Sequence, residues 1–401
     1  MKAKLFAMIL LTATVVTVAL YPGQRSGAYT GGNVKPPPTQ VDPLVNDQPV
    51  IEVVFVLDTT GSMGNLIAAA KDKIWSIASG MASAKPTPEV RMGLVAYRDR
   101  GDDYVTRVVD LSTDLDAMYM TLMQFEAAGG GDGPESVNRA LSDAVHEITW
   151  SDDPSTYRTI FLVGDAPPHM DYVGEKQYPQ LMADARQRDI VVNTIQCGKA
   201  GVTRVHWTHI AQLADGRYFD VEQDGSALAI ATPFDDQIAE LSRELDETRL
   251  YYGSREEREV ARQKVETASE LHRRADNDSR ARRAVFNASA GGRKNFLGDK
   301  ELVDDVATGR VGLEEIPTEA LPETLQAMAP EDRSAAITEQ ARKRSELTQR
   351  IQELAKSRES FIQDKLDEVG GAEASLDYKI YSAVREQAEA KGLEMEEEPD
   401  Y

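Results

Sequence analysis

Asp58, Thr60 and Ser62 stand two residues apart at the end of the stretch VIEVVFVLDTTGSMG, residues 50–64, with Gly61 and Gly64 among them. Glu135, Asp165 and Asp99 are further acids expected at strand ends or in crossover loops of the same edge. Gathering carboxylates without a basic partner is costly, because like charges raise one another's free energy. A hard divalent cation removes that cost. Magnesium takes about six oxygens in near-octahedral geometry and keeps some of its waters. Two hydroxyls, one or two carboxylates and water meet that demand. Manganese is an alternative occupant, and calcium favours a larger cage richer in carboxylates. The helix expected after Gly61 turns its positive end toward an approaching anion.

Other chemistries find less support. Gly129, Gly130 and Gly131 are followed by no G-K-S or G-K-T, so they are not a Walker loop. They follow no clear strand in the G-x-G-x-x-G manner of a dinucleotide site. Ser62 has no assignable histidine base and is not a nucleophile. His206 and His209 lack a third zinc ligand, and His169 stands outside the site. Plainer roles remain open: Ser62 as a helix cap, Asp99 and Asp132 as turn caps.

Strands and helices must position these residues. Residues 50–57 are apolar apart from Glu52 and read as a central strand buried on both faces. Leu66, Ala70, Ile74, Ile77 and Met81 mark one face of a helix laid on a sheet, closed by Pro86 and Pro88. Residues 90–97 form a second strand and 106–111 an antiparallel edge strand. Leu115, Met118, Leu122 and Phe125 mark a small helix. The triple glycine fits neither helix nor strand. A helix resumes over 136–148, with Pro134 and Glu135 in its first turn. Strands at 158–164, 190–195 and 218–221 alternate with helices at 178–187 and 206–213. Long crossovers between strands imply an α/β, doubly wound, mostly parallel sheet flanked by helices. Ligands of such sheets lie outside the carboxyl ends of the strands.

DTTGSM, with strand before and helix after, resembles the von Willebrand factor A (VWA) domain family and its metal-ion-dependent adhesion site, MIDAS, in the variant D-x-T-x-S. The resemblance covers about residues 49–224. It implies that Thr60 and Ser62 bind the metal directly and that Asp58 acts through water. The family's second loop normally supplies a threonine, and this chain has none there. Asp132, Gly133, Pro134 and Glu135 instead resemble the D-x-P-E loop of the integrin β subunit I-like domain, which implies a metal-binding role for Glu135. Asp165, in GDAPPH, takes the place of the family's aspartate after the fourth strand. Integrin β subunits hold a second cation, whose counterpart ligands here are Asp132 and Asp99.

Beyond about residue 234 glycine and strand formers thin out, and Glu, Arg, Ala and Gln dominate. Ile238, Leu241, Leu245, Leu250 and Tyr251 read as one helix, and residues 256–286 as another. Residues 331–369 form a long helix and 376–390 a last short one. Their apolar stripes are thin, and the heptad is unevenly sustained, so a coiled coil is the lesser alternative for these helices. They could pack on one another, on the α/β domain or on a partner. The expected organisation is a signal peptide or membrane anchor over 1–20, a Pro/Gly-rich linker over 21–49, the VWA domain over 50–233, a helical region over 234–392 and a disordered acidic tail over 393–401.

The chain of 401 residues carries a formal net charge of −22, from 67 acidic and 45 basic residues. That disfavours nucleic acid and anionic membrane surfaces, which need a cationic footprint. Cys197 is the only cysteine, so no intrachain disulfide forms, and its place at a strand end marks it as a buried thiol. Lys2 and Lys4 precede an uncharged run from Leu5 to Leu20, short for a span but normal for an export signal. Cleavage after Ala19 and an uncleaved anchor both fit. The chain is therefore expected to be exported, to the periplasm or the extracytoplasmic face of the membrane. The leading expectation is a non-enzymatic module whose magnesium coordinates an Asp or Glu carboxylate of a protein partner. The alternatives are a metal-assisted hydrolase and an envelope scaffold whose metal only ties loops together. The oligomeric state is not legible.

Overall fold

Runs of β-branched and apolar residues form the strands β1 (Val50–Asp58), β2 (Glu89–Tyr97), β3 (Thr106–Ser112), β4 (Tyr157–Gly164), β5 (Ile190–Cys197) and β6 (Tyr218–Val221). The computed structural model describes residues 48–131, 133–223, 230–369 and 372–396. The export segment, nearly all of the linker, Asp132 and the end of the acidic tail lie outside the described residues. The strand order is β3-β2-β1-β4-β5-β6. All neighbours are parallel except the β2–β3 pair, which is antiparallel at the sheet edge, as the sequence predicts. From β1 the chain crosses first to β2 and later to β4 on the opposite side. The loops leaving β1 and β4 therefore diverge, and the crevice between them is the point where α/β sheets hold ligands.

Side chains of β1 alternate between two cores. Val53, Phe55 and Leu57 face a layer made by α1 (Gly64–Ala82) and α2 (Leu115–Met123), whereas Val54 and Val56 face α3 (Val137–His146), α4 (Tyr178–Gln187) and α5 (Gly201–Leu213). Period two is the geometry of a strand buried on both faces. Glu52 interrupts the apolar run without breaking it. Its buried carboxylate is 3.2 Å from an Arg91 nitrogen and accepts the Ser151 N–H at 2.9 Å. Cys197 is buried in the first of these cores, as expected, and burial pushes its thiol pKa well up.

The helical region comprises α6 (Asp235–Asp246), α7 (Arg255–Arg274), α8 (Asn277–Asn287), α9 (Pro330–Val369) and α10 (Leu376–Ala388), with shorter helices between α8 and α9. Two sequence expectations are corrected here. Leu250 and Tyr251 do not continue α6; Tyr251 pairs with Glu301 in an antiparallel bridge. Residues 256–286 are two helices, because Ala275 is extended and Asp276 caps α8 by accepting the Ser279 N–H at 2.7 Å.

The thin stripes are covered within the chain. Ile337 of α9 joins a cluster with Leu302, Leu321 and Leu325, while Leu347, Ile351 and Leu354 pack with Ile238, Leu245 and Ala281. α8 lies on α1, where Trp75 and Phe286 meet with ring centroids 6.0 Å apart. α10 lies on the sheet itself. Leu376, Ile380, Ala383 and Val384 join Phe55 and Phe161 in the core. Gln387 accepts the Tyr157 hydroxyl at 2.6 Å and exchanges hydrogen bonds with Asn193. Gly80 of α1 makes this possible, because a Cβ there would stand 2.8 Å from the Tyr381 ring. The described residues from 48 onward accordingly cluster as one compact unit. The start of the acidic tail is bound rather than loose: Leu393 is buried and Glu394 bridges Lys85 through two backbone hydrogen bonds of 2.8 and 2.9 Å. No helix among the described residues is long and apolar enough to cross a membrane.

Candidate metal centre

Asp58 ends β1 fully buried. Its Oδ1 accepts the Thr60 N–H at 2.9 Å and the Thr60 hydroxyl at 2.6 Å. Its Oδ2 is buried with no hydrogen-bond partner. Burial, with a smaller push from the charge of Asp165, raises the Asp58 pKa to about 7 against the opposing pull of the Thr60 hydrogen bonds. Among the described ion pairs neither Asp58 nor Asp165 meets a Lys, Arg or His.

Thr60 precedes a short 3-10 turn, Gly61–Met63, that leads into α1. The N-cap of α1 is Met63, with no side-chain cap. The Ser62 hydroxyl is therefore not spent on capping α1. It is exposed and lies 3.5 Å from the Thr60 hydroxyl. Asp165 leaves β4 on the adjacent loop, and its Oδ2 accepts the Gln223 side-chain amide at 2.8 Å. The same amide approaches the Ser62 carbonyl at 3.4 Å, so Gln223 bridges the two loops.

Glu135 is buried in a bridge to Pro168: its N–H donates to the Pro167 carbonyl at 2.9 Å, and its carbonyl accepts the His169 N–H at 3.0 Å. Gly130 reports how the loops converge. A Cβ placed there would be 3.2 Å from both Glu135 Oε1 and Thr60 Cβ. Gly129 and Gly130 adopt φ of 77° and 76°, the left-handed region that favours glycine. A Cβ at Gly129 would strike the Asp102 carboxylate, whose oxygens accept the Gly130 N–H at 3.1 Å and the Asp99 N–H at 3.2 Å. The glycine loop is laced to the first loop by Gly61 N–H to Gly129 O at 3.2 Å and Ala128 N–H to Thr59 O at 3.1 Å. Behind both, the buried Arg98 donates to Thr59 O at 3.1 Å and Glu126 O at 2.8 Å and lies over the Tyr104 ring.

Asp58, Thr60, Ser62, Glu135 and Asp165 are thus brought to one crevice. Asp99 sits in a separate network: it accepts the Ser136 hydroxyl at 2.7 Å and the Tyr172 hydroxyl at 2.7 Å, with His169 Nε2 at 3.5 Å. Asp132 lies outside the described residues. His206 and His209 flank the Tyr178 hydroxyl at 3.3 and 3.0 Å. Sequence reading missed Arg98, Asp102 and Gln223, whose roles depend on loops distant in the chain. It also missed Tyr97, whose buried hydroxyl has no partner and whose pKa is pushed well up by burial and then by the charges of Asp58, Glu135 and Asp165.

Among the described residues no three His, Cys, Asp or Glu side chains form a metal-holding group by themselves. A cation at this crevice would depend on the Thr60 and Ser62 hydroxyls and on water as well as carboxylates. That donor set, all hard oxygen, with a buried carboxylate oxygen lacking a donor, fits magnesium.

Residues 52–233 match the family described as von Willebrand factor A domain. The von Willebrand factor A domain-containing protein 7 of Rattus norvegicus is 36% identical over 126 residues, which is 31% of this chain and 13% of that protein. The alpha-protein kinase vwkA of Dictyostelium discoideum is 26% identical over 121 residues, 30% of this chain and 19% of that protein. The chain thus spans under a fifth of the length of either relative. Among solved structures, the SpRpn10 VWA domain shows 13% identity over 44% of this chain and 90% of that chain, with a TM-score of 0.35. Proximal thread matrix protein 1 from the mussel byssus, in a form with a zinc-occupied MIDAS motif, shows 15% identity over 45% of this chain and 43% of that chain, with a TM-score of 0.36.

Proposed function

Taking residues 52–233 as a von Willebrand factor A domain, a class that generally serves protein–protein interaction without catalysis, we propose that this chain captures a protein partner through a magnesium ion. Thr60, Ser62 and Glu135 would hold the ion, with Asp58 and Asp165 behind them. The bound ion supplies a coordination position for an Asp or Glu carboxylate of the partner. The chain's own residues do the rest. Asp58 fixes the Thr60 hydroxyl, Gln223 holds Asp165 beside the Ser62 loop, and the glycine loop brings Glu135 toward Thr60. The reading includes export by residues 1–20, so that capture takes place in the periplasm or on the extracytoplasmic face of the membrane.

One observation carries it: the buried Asp58 Oδ2 has no donor, in a crevice that gathers further carboxylates and two hydroxyls. A buried carboxylate oxygen without a donor is expensive, and a cation offsets that cost. The test is calorimetric titration of magnesium, then manganese and calcium, into the full chain. One-site binding in the wild type and none in a folded Asp58→Ala variant is expected. No binding by either protein would overturn the proposal. Acetate added to the magnesium form should bind at millimolar concentration; a magnesium form that ignores carboxylates would instead indicate an ion that only ties loops together.

A further inference from the structure

Tyr97, Asp58 and Gly164 end three adjacent strands, β2, β1 and β4. Tyr97 stands opposite Asp58 in the β1–β2 register, and Leu57 stands opposite Val163 on the other side. Residues in register on parallel neighbours point to the same face of a sheet. The Tyr97 ring accordingly joins Val54 and Val56 in the core beneath α3, α4 and α5, and it is fully buried. Its hydroxyl reaches Gly164. A Cβ placed on Gly164 would stand 2.5 Å from the Tyr97 hydroxyl oxygen and 3.0 Å from Asp58 Oδ2. The missing side chain at 164 lets both atoms close on one point over the end of β4.

Each of these two atoms is buried without a hydrogen-bond partner among the described residues. One is a donor and the other an acceptor. A buried polar group left unpaired is destabilising, and a phenylalanine would fill the same space without that cost. Burial, and then the charges of Asp58, Glu135 and Asp165, push the phenol pKa well up, so the group keeps its proton and stays a donor. The carboxylate has room for it. Asp58 Oδ1 already accepts the N–H and the hydroxyl of Thr60, whereas Oδ2 retains both its acceptor positions. One can serve a cation and the other Tyr97. The Tyr97 backbone holds the same loop, its carbonyl accepting the Thr59 N–H at 2.9 Å and the Thr59 hydroxyl at 2.8 Å.

We propose, on the reading of the crevice as a magnesium site, that Tyr97 is a positioning residue for the ion: its hydroxyl hydrogen-bonds the Asp58 carboxylate, directly or through one water, and fixes Oδ2 for the cation. Charge assistance makes such a bond strong. Magnesium binding and the bond reinforce one another, because both need the same carboxylate held in one place.

The test compares the full wild-type chain with Tyr97→Phe, which removes one oxygen and keeps the ring and the backbone contacts. Calorimetric titration should show magnesium affinity reduced roughly three- to tenfold, the worth of an ordinary hydrogen bond. Without magnesium the unfolding temperature should be unchanged or higher, since an unpartnered hydroxyl has left the core. A hydroxyl with a merely structural role would give the reverse, a lower unfolding temperature at constant affinity. Tyr157→Phe supplies that pattern as the control. Tyr157 lies at the opposite end of β4 and its hydroxyl donates to Gln387 at 2.6 Å, so stability should fall and magnesium affinity should hold. Magnesium should also produce a near-ultraviolet tyrosine difference signal in the wild type that Tyr97→Phe lacks. Equal magnesium affinity in the wild type and folded Tyr97→Phe, or equal losses in the two variants, would overturn the role of Tyr97 and leave the magnesium site standing. A wild type that takes up no magnesium would overturn both.

Discussion

Arg283 and Asp116 face each other with both side chains fully buried, 167 positions apart in the sequence, through two hydrogen bonds of 2.6 Å. Asp116 belongs to α2 of the α/β domain and Arg283 to α8 of the helical region. Asp246 of α6 takes the other edge of the guanidinium at 2.8 Å and also accepts from His272. A planar fork held by two carboxylates fixes the angle at which the helical region meets the sheet.

Breaking this fork from one side should be severe. Arg283→Met leaves Asp116 buried without its partner, and a cost of about 3–5 kcal/mol is expected. The double variant Asp116→Leu with Arg283→Met should cost less, because no charge is stranded. Urea unfolding of the three proteins measures this. An Arg283→Met as mild as Arg262→Ala, an exposed helix pair, would contradict the reading.

The same cluster sets a pH dependence. Burial opposes ionisation of Asp116 and Asp246, but the Arg283 guanidinium outweighs it and holds both pKa values below the usual carboxylate range. Groups depressed in the folded state stabilise it fully above their unfolded pKa, about 3.9. That stability is lost as pH falls through the folded values. Urea midpoints should therefore hold level from pH 8 to about 5 on this account and drop below about pH 4. Asp116→Asn should show a shallower acid drop than wild type; an identical slope would remove Asp116 from the cause.

Gly129→Ala should impair the proposed magnesium site more than Gly131→Ala. The first position has φ of 77° and the Asp102 carboxylate where a Cβ would go, whereas a Cβ at Gly131 meets nothing within 4 Å. The left-handed conformation costs an alanine roughly 1–2 kcal/mol, and displacing Asp102 frees the loop that presents Glu135. Magnesium titration of both variants decides it, and equal affinities would show that the loop does not position the site.

Gln223→Leu should weaken magnesium binding by about 0.5–1.5 kcal/mol, the worth of an ordinary hydrogen bond, with little change in unfolding temperature. Gln223 is exposed, but it holds Asp165 and the Ser62 loop in register. Unchanged magnesium affinity would make it a bystander.

Deleting residues 372–401 removes α10 and exposes the sheet face around Phe55, Tyr157 and Phe161. The truncated protein should melt lower and bind a hydrophobic dye. Ile380→Ala is the milder version, expected to cost about 2–5 kcal/mol. A truncated chain as stable as the full one would show that α10 is not part of the α/β core. It follows that a fragment ending near residue 234, where composition changes, omits a helix the sheet needs.

The sequence by itself determined the order of strands and helices through residue 221, the antiparallel edge strand and the edge where Asp58, Thr60, Ser62, Glu135 and Asp165 collect. These follow from local signals: period two in β1, helical spacing in α1, glycines where no other residue fits, acids just after strands. The long helix over 330–369 was equally legible, being forty residues in one pattern.

Tertiary structure alone decided what those signals cannot carry. The destination of α10 depends on a slot beside α1 that exists only once the sheet is built, shaped by Gly80 and Asn193. Arg283 and Asp116 look like two more surface charges until folding buries them against each other. Asp102, Gln223 and Arg98 act on loops far away in the chain, so no spacing announces them. Asp99 and Asp165 are alike in sequence, an acid just past a strand. Tyr172, Ser136 and His169, placed by distant loops, draw Asp99 into a network of their own, whereas Asp165 stays beside Asp58. Local sequence sets which backbone forms; the burial that gives a charge its partner, and hence its role, is a property of the packed whole.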